Sequence, residues 1–548
     1  MPTVTIDGRS ITVDRGATVL QAAQRLGIEI PTFCYHPGLT IAANCRMCLV
    51  QVEKAPKPLP ACQTEVRDGM VVRTDTEQVR DDQRAVLEFI LLNHPVDCPI
   101  CDQAGECVLQ DHYYAHDRRP SRLFTRKVHK AKAKVLGPTV VLDAERCVLC
   151  TRCVRFCAEV TGTHELKVTQ RGEHSEITTW PGTELANPYS LNVVDICPVG
   201  ALTSRDFRFR RRVWMLRGTR SVCTECARGC NVRIDSHRNH LERQVPLYHP
   251  KVNRWWMCDE GRLALRRWQA DQVRQARVRG QDASTRQAAT TMAEALRDAA
   301  PRAAIVVSPT LTNEAIWLTL QLADTLGARL FRGGRTLQGE QDTLLRRADR
   351  NPNSRGLDAL LGERTAPGLE RLLGAVSDGQ IDAVLVMGAE HAWPEGWQRA
   401  LRRATTIGVV AAVTSPLTEL ADVVVPEAMP AMLDGTVVNF EGRVQRLRRA
   451  IRLDPPGVVY PAWRIVKHML GVVGEPVDHD GEASVFATIA AQVAAFAGLD
   501  FEALGDYGRM LGSGGEPDVD PDEARLSIDR CAPQWRSRNI NSRLPWQH

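Results

Sequence analysis

Aromatic residues make up only 5% of the 548-residue chain, too few for the stacking platforms on which single-stranded nucleic acids lie. No apolar run approaches the roughly 18 to 20 residues that a membrane span needs; the longest, around 86–92 and 407–413, are core-sized. The opening MPTVTIDGRS lacks the basic and apolar regions of a secretory signal, so a fold is expected almost at once, with any membrane contact made through partners. Neither sign of charge prevails: 70 basic residues face 65 acidic ones, a net of +5. That is a mixed surface, although the arginine-dense stretches 205–220 and 262–278 could form local basic patches. No Gly-x-Gly-x-x-Gly follows a strand and no phosphate-binding loop is present, so no nucleotide site is read. Between Cys258 and Cys531 there is no cysteine at all.

That gap matters because the chain holds 17 cysteines, 16 of them between Cys34 and Cys258. The total is odd and the chain long, and a disulfide framework would have no reason to occupy one half of it. Thiolates reserved for metal in a reducing compartment fit better.

Residues 3–13 read as two short strands around the Asp7–Gly8 turn, and Thr18 can cap a helix that Gly27 stops. Strand, turn, strand, helix and then a cysteine loop is how a β-grasp ferredoxin begins. Residues 79–92 have helical periodicity. Compact cysteine-bearing units follow at 140–204 and about 219–262. Thereafter 303–308, 382–388, 407–413 and 421–425 look like buried strands, with helices expected at 312–326 and 394–403. This alternation predicts an open α/β domain with a largely parallel sheet. The stretch 512–522 reads as a linker.

Four constellations carry the chemistry. Cys34, Cys45, Cys48 and Cys62 are separated by 10, 2 and 13 residues, the general layout of a plant-type 2Fe–2S site with a longer first gap. Thiolates also suit zinc, which remains the bland alternative there. Next come Cys98, Cys101 and Cys107, with gaps of 2 and 5 and no fourth cysteine. Imidazole is a legitimate ligand to cluster iron. His94 is read as the fourth donor, in competition with His112 and His116.

The third set is the most specific. Cys147, Cys150, Cys153 and Cys157 are spaced by 2, 2 and 3 residues, as in a bacterial ferredoxin, and Cys197–Pro198 supplies the remote Cys–Pro. A second ferredoxin run would need cysteines where the chain has Asn187, Ser190 and Val193. One 4Fe–4S cluster on Cys147, Cys150, Cys153 and Cys197 is therefore expected, with Cys157 left over as a buried thiol. The fourth set, Cys223, Cys226, Cys230 and Cys258, again suits 4Fe–4S but is the spacing zinc mimics most easily. The Trp255–Trp256 pair is expected to cover its sulfur.

This ordered series resembles the large iron–sulfur subunit family of respiratory NADH:quinone oxidoreductase, with high specificity over residues 1–262. Carried over position by position, each ligand named above matches one of that family. The resemblance implies an electron-transfer subunit that passes electrons from a flavin subunit toward quinone, with no catalytic acid, base or nucleophile of its own. Its implied cofactors are one 2Fe–2S and three 4Fe–4S clusters. Implied partners are a flavin- and NADH-binding subunit, a 2Fe–2S thioredoxin-like subunit and quinone-proximal subunits. Neither nucleic acid nor a direct membrane span is implied, and the place is peripheral, on the cytoplasmic side of a bacterial inner membrane. The fourth set occurs only in some bacterial members, where its cluster is thought to lie off the main electron path.

Residues 421–426 (ADVVVP) and 434–444 (DGTVVNFEGRV) look like part of a molybdopterin oxidoreductase fold, reduced here and without molybdenum. The expected division is 1–78 (2Fe–2S ferredoxin type), 79–118 (one histidine, three cysteines), 138–210 (half-ferredoxin), 219–275 (four cysteines), 276–510 (molybdopterin-oxidoreductase-like α/β) and 511–548 (linker and extended tail). NAD-linked formate dehydrogenases and iron hydrogenases share the N-terminal series. A formate dehydrogenase would usually need a cysteine or selenocysteine well after the last cluster, and none stands there. The hydrogenase would need both ferredoxin clusters and further cysteines.

Overall fold

A computed structural model describes residues 1–117 and 119–519; Cys531 and the rest of the expected tail lie outside the described residues. Two compact units result. The first comprises residues 1–216 with 254–259, and the second 217–253 with the described residues from 260 onward.

The first unit opens with the hairpin Thr3–Ile6 and Arg9–Thr12, turned by Asp7 and Gly8, both left-handed at φ 47° and 79°. That conformation matches the right-handed twist of the strands it joins. Met70–Arg73 lies parallel to the first strand and antiparallel to Leu49–Val52, completing a five-stranded mixed sheet. Thr18 caps the helix Val19–Arg25: its hydroxyl accepts the Gln21 N–H while the Gln21 side chain accepts the Thr18 N–H, worth about 1 kcal/mol. Val4, Ile6, Val19, Leu20, Val50 and Val72 form the core, and Cys48 and Cys62 belong to it. The first cysteine group is thus seated in sheet packing.

The helix read at 79–92 spans Glu77–Leu91, capped by Thr76. Beyond it, Cys98–Ile100 make a single turn and Val108–His116 a helix. In the third segment Val140–Leu142 pairs antiparallel with Leu202–Ser204, which closes the chain on either side of Cys147 and Cys197. Leu149 and Thr151 adopt φ of 51° and 60°, so the backbone coils tightly between Cys147 and Cys153.

The second unit contains a three-stranded antiparallel sheet, Arg217–Val222, Asn231–His237 and His240–Pro246. Its larger sheet has seven strands in the spatial order Gln281–Ala283, Ala276–Val278, Val423–Pro426, Thr406–Ala411, Ala383–Met387, Ala303–Val307 and Arg329–Arg332. The last five run parallel, an open doubly wound arrangement in order 2-1-3-4-5 read from the edge at Arg329–Arg332. Every residue of Ala303–Val307 and Ala383–Met387 is buried, as continuous apolar strands covered on both faces must be. The helix expected at 394–403 is confined to Trp397–Leu401 after the left-handed Gly396. The stretch read as a linker is packed in its described part: Leu511 and Gly512 donate to Gly442 and Ala495. Asp518 pairs at 2.5 Å with Arg443, a side chain only 1% exposed; a buried guanidinium holds the nearest carboxylate against it.

Candidate metal centres

The four thiols of the first group lie within hydrogen-bonding reach of one another. Cys45 and Cys62 donate to the Cys34 sulfur and hold it below the ordinary thiol range. Cys62 does the same for Cys48. The pairs Cys34–Cys45 and Cys48–Cys62, joined through Cys34–Cys62, are the shape required where each of two irons takes two sulfur ligands.

In the second group, burial pushes Cys101 up and Cys107 up to about 12, and both feel the charge of Cys98. His94 shares Asp97 and Arg146 as electrostatic neighbours with Cys101. Burial drives its imidazole down to about 4, leaving it neutral, the form that binds metal. Its Nδ1 is buried without a hydrogen-bond partner, a costly state for a ring nitrogen unless a ligand uses it. His112 is engaged elsewhere: its Nε2 lies 3.2 Å from the Thr32 carbonyl and its ring stands edge-on to Phe33. His116 packs on His112.

The third group surrounds a small cavity lined by Cys147, Cys150, Cys153 and Cys197, with Cys157 absent from the wall. Burial pushes Cys147 up to about 12 and Cys197 to about 11, and each also feels Cys150. Backbone amides offset part of this: the Leu149 N–H donates to Cys147 Sγ at 3.4 Å, and those of Val199, Ala201 and Leu202 point at Cys197. Such N–H···S contacts favour thiolates, and a metal entering here would displace the protons. Cys157 is fully buried, and burial with the nearby Glu165 pushes it up to about 12. The positions of a second ferredoxin run are filled by polar bonds. The Glu165 carboxylate accepts from Asn187, and Ser190 donates to Asp259 at 2.6 Å. Val193 is fully buried.

The third group adjoins both of the others. Cys34 and Cys150 act on each other electrostatically, and Arg155 Nη2 donates to the carbonyls of both, at 2.5 and 3.3 Å. Toward the second group, the Val108 N–H donates to Pro198 at 2.9 Å. A Cβ on Gly200 would stand 2.2 Å from Cys101 Sγ.

In the fourth group, Cys223, Cys226 and Cys230 are buried in the second unit, and the Cys223 N–H donates to the Cys230 carbonyl at 2.9 Å. The buried Arg335 feels Cys223 and bonds Glu390 at 2.5 Å. Cys258 falls in the 254–259 segment of the first unit, so this set stands on its spacing. The tryptophans expected over its sulfur pack against residues of the first unit. Trp256 stacks on His36 and tilts against Phe156, and a Cβ on Gly38 would meet the Trp255 ring at 2.6 Å.

Soft sulfur donors in fours suit iron–sulfur clusters. Among the described residues no group of three or more His, Cys, Asp or Glu is arranged to hold a single metal ion; a cluster spreads its ligands more widely than one ion does. Sequence reasoning missed Arg152, Arg155 and Gly200. The only local signal was the pair of basic residues, Arg152 and Arg155, inside the third cysteine run.

Three families match successive parts of the chain: a 2Fe–2S iron–sulfur cluster binding domain over residues 1–77, the iron–sulfur binding region of NADH-ubiquinone oxidoreductase G over 83–122, and the ferredoxin-like domain of NADH-quinone oxidoreductase subunit 3 over 137–203. The G subunit of NADH-quinone oxidoreductase from Rickettsia conorii is 38% identical over 331 residues, 60% of this chain and 49% of that protein. The mitochondrial NADH dehydrogenase (ubiquinone) iron–sulfur protein 1 of Solanum tuberosum is 41% identical over 323 residues, 58% and 44% of the two chains. The 75 kDa subunit of NADH-ubiquinone oxidoreductase from Reclinomonas americana is 47% identical over 265 residues, 48% and 38%. The chain spans about half the length of the first of these relatives, and less of the others. A solved NAD+-reducing NiFe hydrogenase in the H2-reduced state aligns over 38% of this chain and 90% of its own, at 29% identity and a TM-score of 0.35.

Proposed function

We propose that this chain, homologous to the Rickettsia protein over about three-fifths of its length, is the iron–sulfur electron-transfer subunit of an NADH:quinone oxidoreductase. It would take electrons from a flavin- and NADH-binding partner and deliver them toward quinone. Its neighbours would be a 2Fe–2S thioredoxin-like subunit and quinone-proximal subunits, at the cytoplasmic face of a bacterial inner membrane. Among the described residues no helix is long and apolar enough to cross a membrane.

The observation that carries this reading is the contact of the third ligand group with both the first and the second, at Cys34–Cys150 and at Gly200–Cys101. Cys34, Cys45, Cys48 and Cys62 would hold a 2Fe–2S cluster. Three 4Fe–4S clusters would be held by His94 with Cys98, Cys101 and Cys107, by Cys147, Cys150, Cys153 and Cys197, and by Cys223, Cys226, Cys230 and Cys258. Bound there, the clusters supply reversible one-electron chemistry.

The chain's own residues fix spacing and environment. Burial of ten of the fifteen cysteines limits water at the sulfurs, and backbone amides supply hydrogen bonds to Cys147 and Cys197. His94 offers a neutral donor in place of a thiolate, which raises potential. The six-part domain division read from the sequence is part of this proposal, except that residues 511–519 are packed within the second unit and 254–259 fold with the first. The doubly wound sheet of the second unit and the 421–444 segment favour a reduced molybdopterin-type fold without molybdenum.

The test is to purify the chain anaerobically with a flavin-bearing NADH-oxidising partner and follow cluster absorption in the visible. NADH should bleach it. Bleaching by dithionite but never by NADH would contradict the proposed place in the enzyme.

A further inference from the structure

Arg152 sits inside the third cysteine run, between Cys150 and Cys153, and each arm of its guanidinium reaches a different loop. Nη2 donates to the carbonyl of Tyr35, the residue after Cys34, at 2.6 Å. Nη1 donates to the carbonyl of Ile196, the residue before Cys197, at 3.1 Å. The third nitrogen, Nε, is buried and has no partner in the protein. Arg152 also lines the cavity that the four cysteines surround. A buried N–H of a permanently charged group without an acceptor is expensive, and the unused donor belongs to a side chain at the wall of a proposed cluster site. The neighbouring Arg155 differs, since its Nε lies 3.4 Å from Thr151 Oγ1.

We propose that Arg152 is a positioning residue for two clusters at once: its Nε–H donates to a sulfur of the 4Fe–4S cluster on Cys147, Cys150, Cys153 and Cys197, while its Nη2 holds the loop of the adjacent 2Fe–2S site and its Nη1 the turn before Cys197. This rests on the ligand assignment proposed above. A hydrogen bond to cluster sulfur stabilises the more negative, reduced state, and the fixed positive charge acts the same way. The 4Fe–4S cluster is thereby held at a higher potential than its cysteines alone would give. The two Nη bonds tie that tuning to the spacing of the pair.

The experiment uses the full chain prepared anaerobically, unlabelled and with 15N-arginine, and reads the reduced clusters by EPR redox titration and pulsed EPR. In the unsubstituted chain the signal of this cluster should carry a coupling to arginine nitrogen and to an exchangeable proton. In Arg152→Met that coupling should vanish, and at a fixed potential the reduced-to-oxidised ratio of this cluster should fall about tenfold, about 59 mV for one electron. Arg152→Lys should recover part of the shift through its charge, without the arginine coupling. The 2Fe–2S signal should persist in both variants. An unsubstituted chain whose 4Fe–4S signal shows no arginine nitrogen coupling overturns the proposal even if Arg152→Met fails to assemble. So does an unchanged midpoint in a variant of normal iron content. A chain that binds no iron at all instead removes the ligand assignment beneath it.

Discussion

At the scale of single residues, the assignment separates cysteines that look alike in the sequence. Cys153 lines the cavity of the third group and Cys157 does not. Cys153→Ala should therefore cost about four irons per chain, the content of one 4Fe–4S cluster, while Cys157→Ala should leave iron unchanged; iron and sulfide assays decide it, and equal losses would refute the division. His94 is a second such case. Replacing a neutral imidazole by a thiolate adds negative charge to the cluster, so His94→Cys should keep the iron and lower that cluster's midpoint by on the order of 100 mV. An unshifted midpoint in EPR titration would return the fourth ligand to another donor. The proposed ligands could be grouped from spacing because most members of each set lie close together in the chain. Arg152 was not, because its value lies in a bond to Tyr35 across 117 positions of sequence. No local pattern specifies such a contact.

Between elements, the decisive junction is the close approach of the Pro198–Gly200 segment to the second cysteine loop. Only a hydrogen at Gly200 leaves room for Cys101 Sγ, since a methyl would stand 2.2 Å away. Gly200→Ala should displace Cys101 and remove about four irons from the second group, with the 2Fe–2S EPR signal intact; full iron content would show that the loops have slack. The hairpin, the first helix and the buried parallel strands could all be read from turn residues, a cap and apolar runs. The seating of Trp255 and Trp256 against His36, Gly38 and Phe156 could not, because it joins the 254–259 segment to loops distant in the chain. The expected linker failed in its described part: Gly and Pro signalled a break, but the buried Arg443 holds Asp518 within the second unit.

For the whole molecule, stability should depend on pH through the second unit. Burial raises Glu427, at the end of the strand Val423–Pro426, to about 8. It therefore folds protonated, and its contribution is complete below about pH 4.3, the ordinary glutamate value. That contribution declines as pH climbs toward 8 and levels off above it, a loss of a few kcal/mol. Glu427→Gln should flatten this decline in thermal unfolding compared at pH 5 and pH 8; an unchanged slope would assign the dependence elsewhere. At the same scale, the contacts of the third group with the first and the second were invisible in the sequence, because they join loops more than 90 positions apart.

The central claim is that fifteen cysteines and His94 hold iron in four separate groups. Iron, zinc and acid-labile sulfide counted on the anaerobically purified full chain test it most directly. About 14 irons with a matching amount of sulfide are expected, the sum of one two-iron and three four-iron clusters. A colourless chain carrying zinc and no sulfide would contradict it.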